Sequence, residues 1–541
     1  GRSQFFGAME NWGAIFTFEY ALLLDPSIST EADRQEIFSI AAHEISHQWF
    51  GDLVTMAWWD DLWLNEGFAS WMAGRTTEKL RPEWNTALHA VVARNGALGR
   101  DALATTHPVV QHVETVEQAN QAFDTITYQK GEAVIRMLEG YVGPDAWRAG
   151  VRRYIQGHAY GNTVSDDLWR EIEKAAGKPI TAIAHDFTLQ PGVPLITVAE
   201  AACRGGATEV RLTQGEFSVD QPDKRPLAWT VPVLLSSGSA APPVRALVKG
   251  GQAEVTVPGC GAVVVNAGQS GYFRTLYAPP LFAPLVASFG ALSAVDQMGI
   301  LTDGWALGRA GRQPVSDLLD LARATPPEAD PQVWGEVAAI FKGIDDDTRG
   351  EPERRAAFRA FAVGRLGPVL AKVGWAARPA EPSTVAILRD VLIGTLADLG
   401  DQGVIGEARR RYAAQATDPA AVPPSLRRRI LGVVAREADA ATWDSLHEAA
   451  RAEKTPLVKD DLYLLLASSR DEAEAGRALA LALTAEPPAT ITAEMIARVA
   501  EEHPELALDF ALAHMAEVNE RVDAPSRSRY YARLAVTSAD P

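Results

Sequence analysis

Apolar residues recur at three- and four-residue intervals along Glu31–Phe50, Leu62–Leu80 and Ile126–Tyr141, the spacing of one helix face, and predict three helices there. Thr30 and Asp33 resemble a capping box ahead of the first of them, which then runs free of Pro and Gly until Gly51. Helical texture dominates to about Leu189, where Pro191, Gly192 and Pro194 make a stiff break. From Leu195 to Tyr277 the pattern changes to short β-like runs such as "TEVRLTQGEF", "WTVPVLL" and "AEVTVPG", divided by glycine-rich turns. They predict a small antiparallel sandwich. Beyond Pro279 the chain is rich in Ala, Leu, Arg and Glu, and helix-length segments separated by Pro, Gly and Asp continue to the end. No strict period repeats, so an irregular, solenoid-like stack of helix pairs is expected. The fold class is multidomain and mainly α, with domains over 1–192, 193–278 and 279–541.

Composition narrows the partners. The 541 residues exceed what one core accommodates. A formal charge of −18 argues against nucleic acid or an anionic membrane. No run approaches the roughly 20 apolar residues of a membrane helix, so no membrane insertion is expected. The opening "GRSQFFGAMENWG" lacks signal-peptide architecture and enters structured-looking sequence at once, so upstream sequence is expected. The two cysteines, Cys203 and Cys260, make either a disulfide, favouring an oxidising compartment, or two buried thiols.

Candidate chemistry begins in the first predicted helix, with "HEISH" at His43–His47. Residues four apart lie one above the other on a helix, so both imidazoles can converge on one ion. Glu44 is rotated by about 100° from His43 and can approach the ion's open position without ligating it. Eighteen residues separate His47 from Glu66 in the second predicted helix, which can present a third ligand. Two His and one carboxylate, with a position left for water, is the pattern of a catalytic zinc site. The pentapeptide alone arises by chance on the order of once per hundred such chains, so it needs support. The remaining histidines, His89, His107 and His112 among them, show no such pairing and read as core or surface residues.

That support comes from "GAMENWG" at Gly7–Gly13 and "FDTITYQKGEAVIRML" at Phe123–Leu138. With "HEISHQWFGDLVTMAWWDDLWLNEGFASW", they resemble the aminopeptidase N family of zinc metallopeptidases, the gluzincin aminopeptidases. The resemblance runs from Gly7 to about Pro194. "GQSGYFRTLY" looks like the end of the family's small β-domain, and the remainder resembles its helical C-terminal domain more loosely. It implies a thermolysin-like catalytic domain and one zinc ion held by His43, His47 and Glu66. Glu44 would be the general base, and Tyr128 would stabilise the oxyanion. Glu10 would bind the free α-ammonium of a peptide substrate, with Gly7, Ala8, Met9 and Asn11 alongside it. The family's N-terminal β-rich domain precedes GAMEN, so the chain is expected to be truncated, or to receive that domain in trans.

Three competing readings follow. A thermolysin-like endopeptidase shares the ligand pattern but not GAMEN. Relatives with epoxide hydrolase activity usually carry GGMEN, whereas Ala8 stands here. A catalytically impaired fragment or scaffold is the alternative from a different class, although the ligands and base expected of an active enzyme are all present. The cysteine pair and the family's many secreted bacterial members lean towards a periplasmic or secreted location.

Overall fold

A computed structural model describes residues 7–238 and 241–538. Residues 1–6, on which the expectation of upstream sequence rests, lie outside the described residues. The described chain forms two compact units, one of residues 7–9, 14–41 and 338–538, the other of residues 10–13 and 42–337. No helix among the described residues is long and apolar enough to cross a membrane.

Strands β1 (Ala8–Met9) and β2 (Phe16–Thr17) pair as an antiparallel hairpin in the first unit. Helix α1 (Glu31–Ser46) follows. The capping box at its start is formed: Thr30 N donates to Asp33 Oδ2 at 2.6 Å and Asp33 N to Thr30 Oγ1 at 3.3 Å. The helix ends four residues earlier than the hydrophobic pattern predicts. Phe50 bridges to Val54, and Gly51 turns the chain at φ 129°.

In the second unit come β3 (Val54–Met56), α2 (Trp63–Leu80), α3 (Thr86–Asp101) and α4 (Val116–Ala122). The predicted helix over Ile126–Tyr141 is two elements: a π turn at Ile126–Lys130, then α5 (Gly131–Val142). Then follow α6 (Pro144–His158), β4 (Gly161–Thr163), α7 (Ser165–Ala176) and α8 (Thr181–Thr188). Helix α2 faces inward with Trp63, Phe68 and Trp71. Trp63 stacks on Trp169 at 5.4 Å and donates through Nε1 to Ser165 Oγ at 2.9 Å, while Trp71 donates to Glu139. Side chains of this size dominate the burial energy, and both indole N–H groups are satisfied. The orientation of α2, and hence of Glu66 on its first turn, is set by this aromatic layer.

The β region holds a four-stranded sheet and a three-stranded one. The first has β5 (Val193–Arg204) paired to β6 (Ala207–Phe217), β6 to β9 (Gln252–Pro258), and β11 (Arg274–Tyr277) on the outer edge of β5. The second places β7 (Val231–Ser236) between β8 (Val244–Val248) and β10 (Val264–Val265). The expectation of a wholly antiparallel domain is corrected at one edge: β11 runs parallel to β5, with Arg274 opposite Leu195. Residues 205–273 separate these strands in sequence, enough for the crossover that parallel pairing requires. Cys203 and Cys260 form a disulfide with Cα atoms 5.2 Å apart, tying the end of β5 to the turn after β9. Buried Arg274 pairs with Asp303 at 3.1 Å, anchoring β11 to the helix Ala294–Arg309.

In the first unit, successive helices from Pro352–Val373 to Arg527–Leu534 pack against their neighbours in the chain. Their core includes Leu431, Trp443, Leu462, Tyr463, Ile496 and Tyr530, together with Ile28 from the segment before α1.

Candidate functional site

The last turn of α1 supplies His43 and Glu44, and His47 follows it by one residue with helical geometry retained: its N–H donates to the His43 carbonyl at 3.3 Å. Why the helix must stop here is visible at His47. Its Nδ1 pairs with the Phe50 carbonyl at 2.9 Å, which aims Nε2 away from the backbone. A Cβ on Gly51 would lie 3.3 Å from that Nδ1 and at a φ that L residues rarely adopt, so glycine clears the space.

Glu66 arrives from the first turn of α2, where it is buried. Its Oε2 lies 3.3 Å from His43 Nε2 and 3.4 Å from His47 Nε2, and the two Nε2 atoms are 3.0 Å apart. Tetrahedral zinc with ligands at its usual distances requires donors about 3.3 Å apart, so these three atoms could hold one such ion. Ser70, one turn along α2, approaches His43 Nδ1 at 3.4 Å. Electrostatics reflect the crowding. Burial opposes charge on both Glu66 and His47, but their mutual hydrogen bond and attraction prevail. Glu66 falls to about 2 with help from His43, and His47 rises to about 9 with help from Glu10 and the Phe50 carbonyl.

Two further carboxylates face this cluster. Glu44 is buried, and its Oε2 accepts no hydrogen bond from any described residue. Burial pushes its pKa up, against the pull of His43 and His47. Such a group is poised to take up a proton. Glu10 lies with one oxygen 3.9 Å from His47 Nδ1, and Gln48 donates to its carbonyl at 3.4 Å. Glu10, Glu44 and His47 have donor atoms within 4.8 Å of one another. Asn11 stands exposed beside Glu10, while Gly7, Ala8 and Met9 belong to β1 and the stretch before it in the other unit.

Tyr128 comes from the π turn. Its ring lies parallel to that of His43 with centroids 6.0 Å apart. Burial, the Glu66 charge and a hydrogen bond to Glu66 push its phenol pKa far up, so the hydroxyl keeps its proton. The i→i+5 turn is not readable from periodicity, and its supports were missed with it. Asp124 Oδ1 accepts from Ile126 N at 2.9 Å and Thr127 N at 3.1 Å. His107 holds the other Asp124 oxygen at 2.9 Å, a role absent from its reading as a core or surface residue. Gly67, next to Glu66, meets Gly131, just past the π turn: a Cβ on Gly67 would lie 3.1 Å from the Gly131 carbonyl carbon. Glycine at position 67 lets the segment bearing Glu66 approach the one bearing Tyr128 this closely, whereas a Cβ on Gly131 would make only ordinary contacts at 3.4 Å and beyond. The fragment "YQKG" after "NEG" was the available signal.

Comparisons with known proteins bear on this geometry. Residues 2–187 match the peptidase family M1 domain, and residues 262–540 match the ERAP1-like C-terminal domain. Aminopeptidase M1-A of Oryza sativa subsp. japonica is 34% identical over 439 residues, which are 78% of this chain and 49% of that protein. Aminopeptidase M1 of Arabidopsis thaliana is 32% identical over 491 residues, 86% of this chain and 55% of that one. Tricorn protease-interacting factor F2 of Thermoplasma acidophilum is 31% identical over 417 residues, 76% and 50% respectively. The chain spans about half the length of the curated relatives it matches. With both family domains matched in order and identity above 30% across most of its length, this chain belongs to the peptidase M1, or aminopeptidase N, family.

Proposed function

We propose that the chain is the catalytic part of a zinc-dependent aminopeptidase that hydrolyses the N-terminal residue from peptides. The observation carrying this is the convergence of three donor atoms 3.0–3.4 Å apart, with a buried Glu44 oxygen beside them that meets no partner among the described residues. Zinc, when bound by His43, His47 and Glu66, supplies Lewis acidity that polarises the scissile carbonyl and acidifies water. Glu44 accepts the water proton at Oε2 and later delivers it to the leaving amine. The Tyr128 hydroxyl, still protonated, donates to the oxygen on which negative charge develops. Glu10 receives the substrate's α-ammonium, with Gly7, Ala8, Met9 and Asn11 flanking the first residue. A blocked or internal peptide would leave the Glu10 carboxylate facing no cation, and this is the physical origin of exopeptidase selectivity. The disulfide supports the placement in an oxidising compartment, periplasmic or secreted.

The test begins with elemental analysis, which should find one zinc per chain. Turnover of aminoacyl-p-nitroanilides should then exceed that of their N-acetylated forms by about a hundredfold, the cost of an uncompensated buried charge. Equal rates on both would remove Glu10 from its role. Tyr128→Phe should lower kcat about 10²–10³-fold with zinc content unchanged, since only the oxyanion donor is lost. Wild-type turnover in that variant would assign oxyanion stabilisation elsewhere.

A further inference from the structure

The π turn that carries Tyr128 also carries Lys130, whose ammonium points the other way, into the protein. Lys130 Nζ lies 2.7 Å from Asp101 Oδ2, and neither side chain has any exposed surface. Asp101, the last residue of α3, is itself held from three further segments. Thr106 Oγ1 donates to it at 2.6 Å, Gly192 N at 2.9 Å and the Tyr272 hydroxyl at 3.1 Å. Lys130 also donates to the Gln190 carbonyl at 3.4 Å and lies 5.5 Å from the centre of the Tyr272 ring.

An ion pair this deep is a poor device for stability, because desolvation offsets most of the attraction and apolar residues would serve as well or better. What it confers is position. A π turn holds one residue more than the α-helical turn it replaces, and it persists only where its surroundings impose it. Relaxation to α geometry would rotate every later side chain by about 100°. Residues two apart on a helical turn project to roughly opposite sides, so fixing Lys130 inward fixes Tyr128 outward. The start of the turn is held by Asp124, whose carboxylate accepts from Ile126 N and Thr127 N. At its end Lys130 is the side chain that fixes the rotation.

We infer that Lys130, through its buried pair with Asp101, is a positioning residue that holds the π turn in the register presenting the Tyr128 hydroxyl to Glu66. The inference rests on the proposed role of Tyr128 for its effect on turnover, but not for its effect on structure.

Lys130→Met is the first variant. Its crystal structure should show the Tyr128 phenol withdrawn from Glu66 by about 1 Å or more, with His43, His47 and Glu66 unmoved and zinc content unchanged. A displacement of that size lowers kcat by about 10²-fold and leaves KM within twofold. Affinity for a phosphinic dipeptide, which mimics the tetrahedral oxyanion, should fall in parallel. In a Tyr128→Phe background the same substitution should cost less than twofold, because the group it positions is gone. If Lys130→Met fails to fold, Lys130→Met with Asp101→Asn replaces it: the pair is neutral, and the asparagine carbonyl still accepts from Thr106 and Gly192. A Tyr128 superimposing on its original position in the variant overturns the inference. So does an equal loss in both backgrounds. Full activity of Tyr128→Phe alone would overturn the oxyanion assignment instead, and the crystal structure would still decide the register.

Discussion

Glu44→Gln is expected to lower turnover by about 10²–10⁴-fold, the range for a positioned general base, while zinc content stays at one per chain. The substitution preserves volume and shape, so the last turn of α1 and the imidazoles on either side are undisturbed. What disappears is the capacity to hold a proton. The buried Oε2 that meets no donor among the described residues is the atom concerned, and no other group there substitutes for it without movement. Glu10 also offers a carboxylate close by, but it lies against His47 and is assigned to the substrate's amine. The measurement is kcat on a leucyl- or alanyl-p-nitroanilide, with metal determined on the same sample. Activity within tenfold of the parent, with metal present, would move the base elsewhere.

The second large effect falls within the unit that does not hold the candidate zinc ligands. Asp345 is buried and accepts two bidentate forks. Arg355 donates from Nε at 3.0 Å and from its terminal nitrogen at 2.7 Å, and Arg359 does so at 2.6 and 2.9 Å. Burial opposes the Asp345 charge, yet the hydrogen bonds and charges of Arg359 and Arg355 hold its pKa at about 2. Asp345→Ala leaves two partly buried guanidiniums facing each other, a loss of about 3 kcal/mol, read as a shift in the urea midpoint. Because the folded pKa lies below the ordinary 3.8, the ionic contribution is complete above about pH 4 and is lost as pH falls towards 2. The gap between parent and variant should therefore narrow by about 2 kcal/mol between pH 5 and pH 2, at 1.36 kcal/mol per pKa unit. A midpoint within about 0.5 kcal/mol of the parent at pH 7 would show that the pair is dispensable.

The convergence of the proposed zinc ligands was legible in the sequence because helix geometry is local. A spacing of four positions from His43 to His47 places both rings on one face whatever the surroundings, and Glu66 could be anticipated on the next helix. The same holds for the start of α1, where Thr30 and Asp33 cap one another across three residues. The β texture between Leu195 and Tyr277 was equally plain. The parallel pairing of β11 with β5 was not, since strand direction depends on a partner about eighty residues away.

Residue spacing in the sequence by itself marked the candidate donor set, the candidate proton acceptor, the cysteine pair as a candidate and the succession of helices, β runs and helices. Tertiary structure alone decided that the turn bearing Tyr128 is π rather than α, that Gly67 closes the distance between it and Glu66, that His107 braces Asp124, and that Lys130 is paired with Asp101 inside the protein. The division has one physical reason. Hydrogen bonds four residues apart repeat along any helix, whereas a register shift of one residue is a strained local state, selected only by contacts with segments distant in the chain.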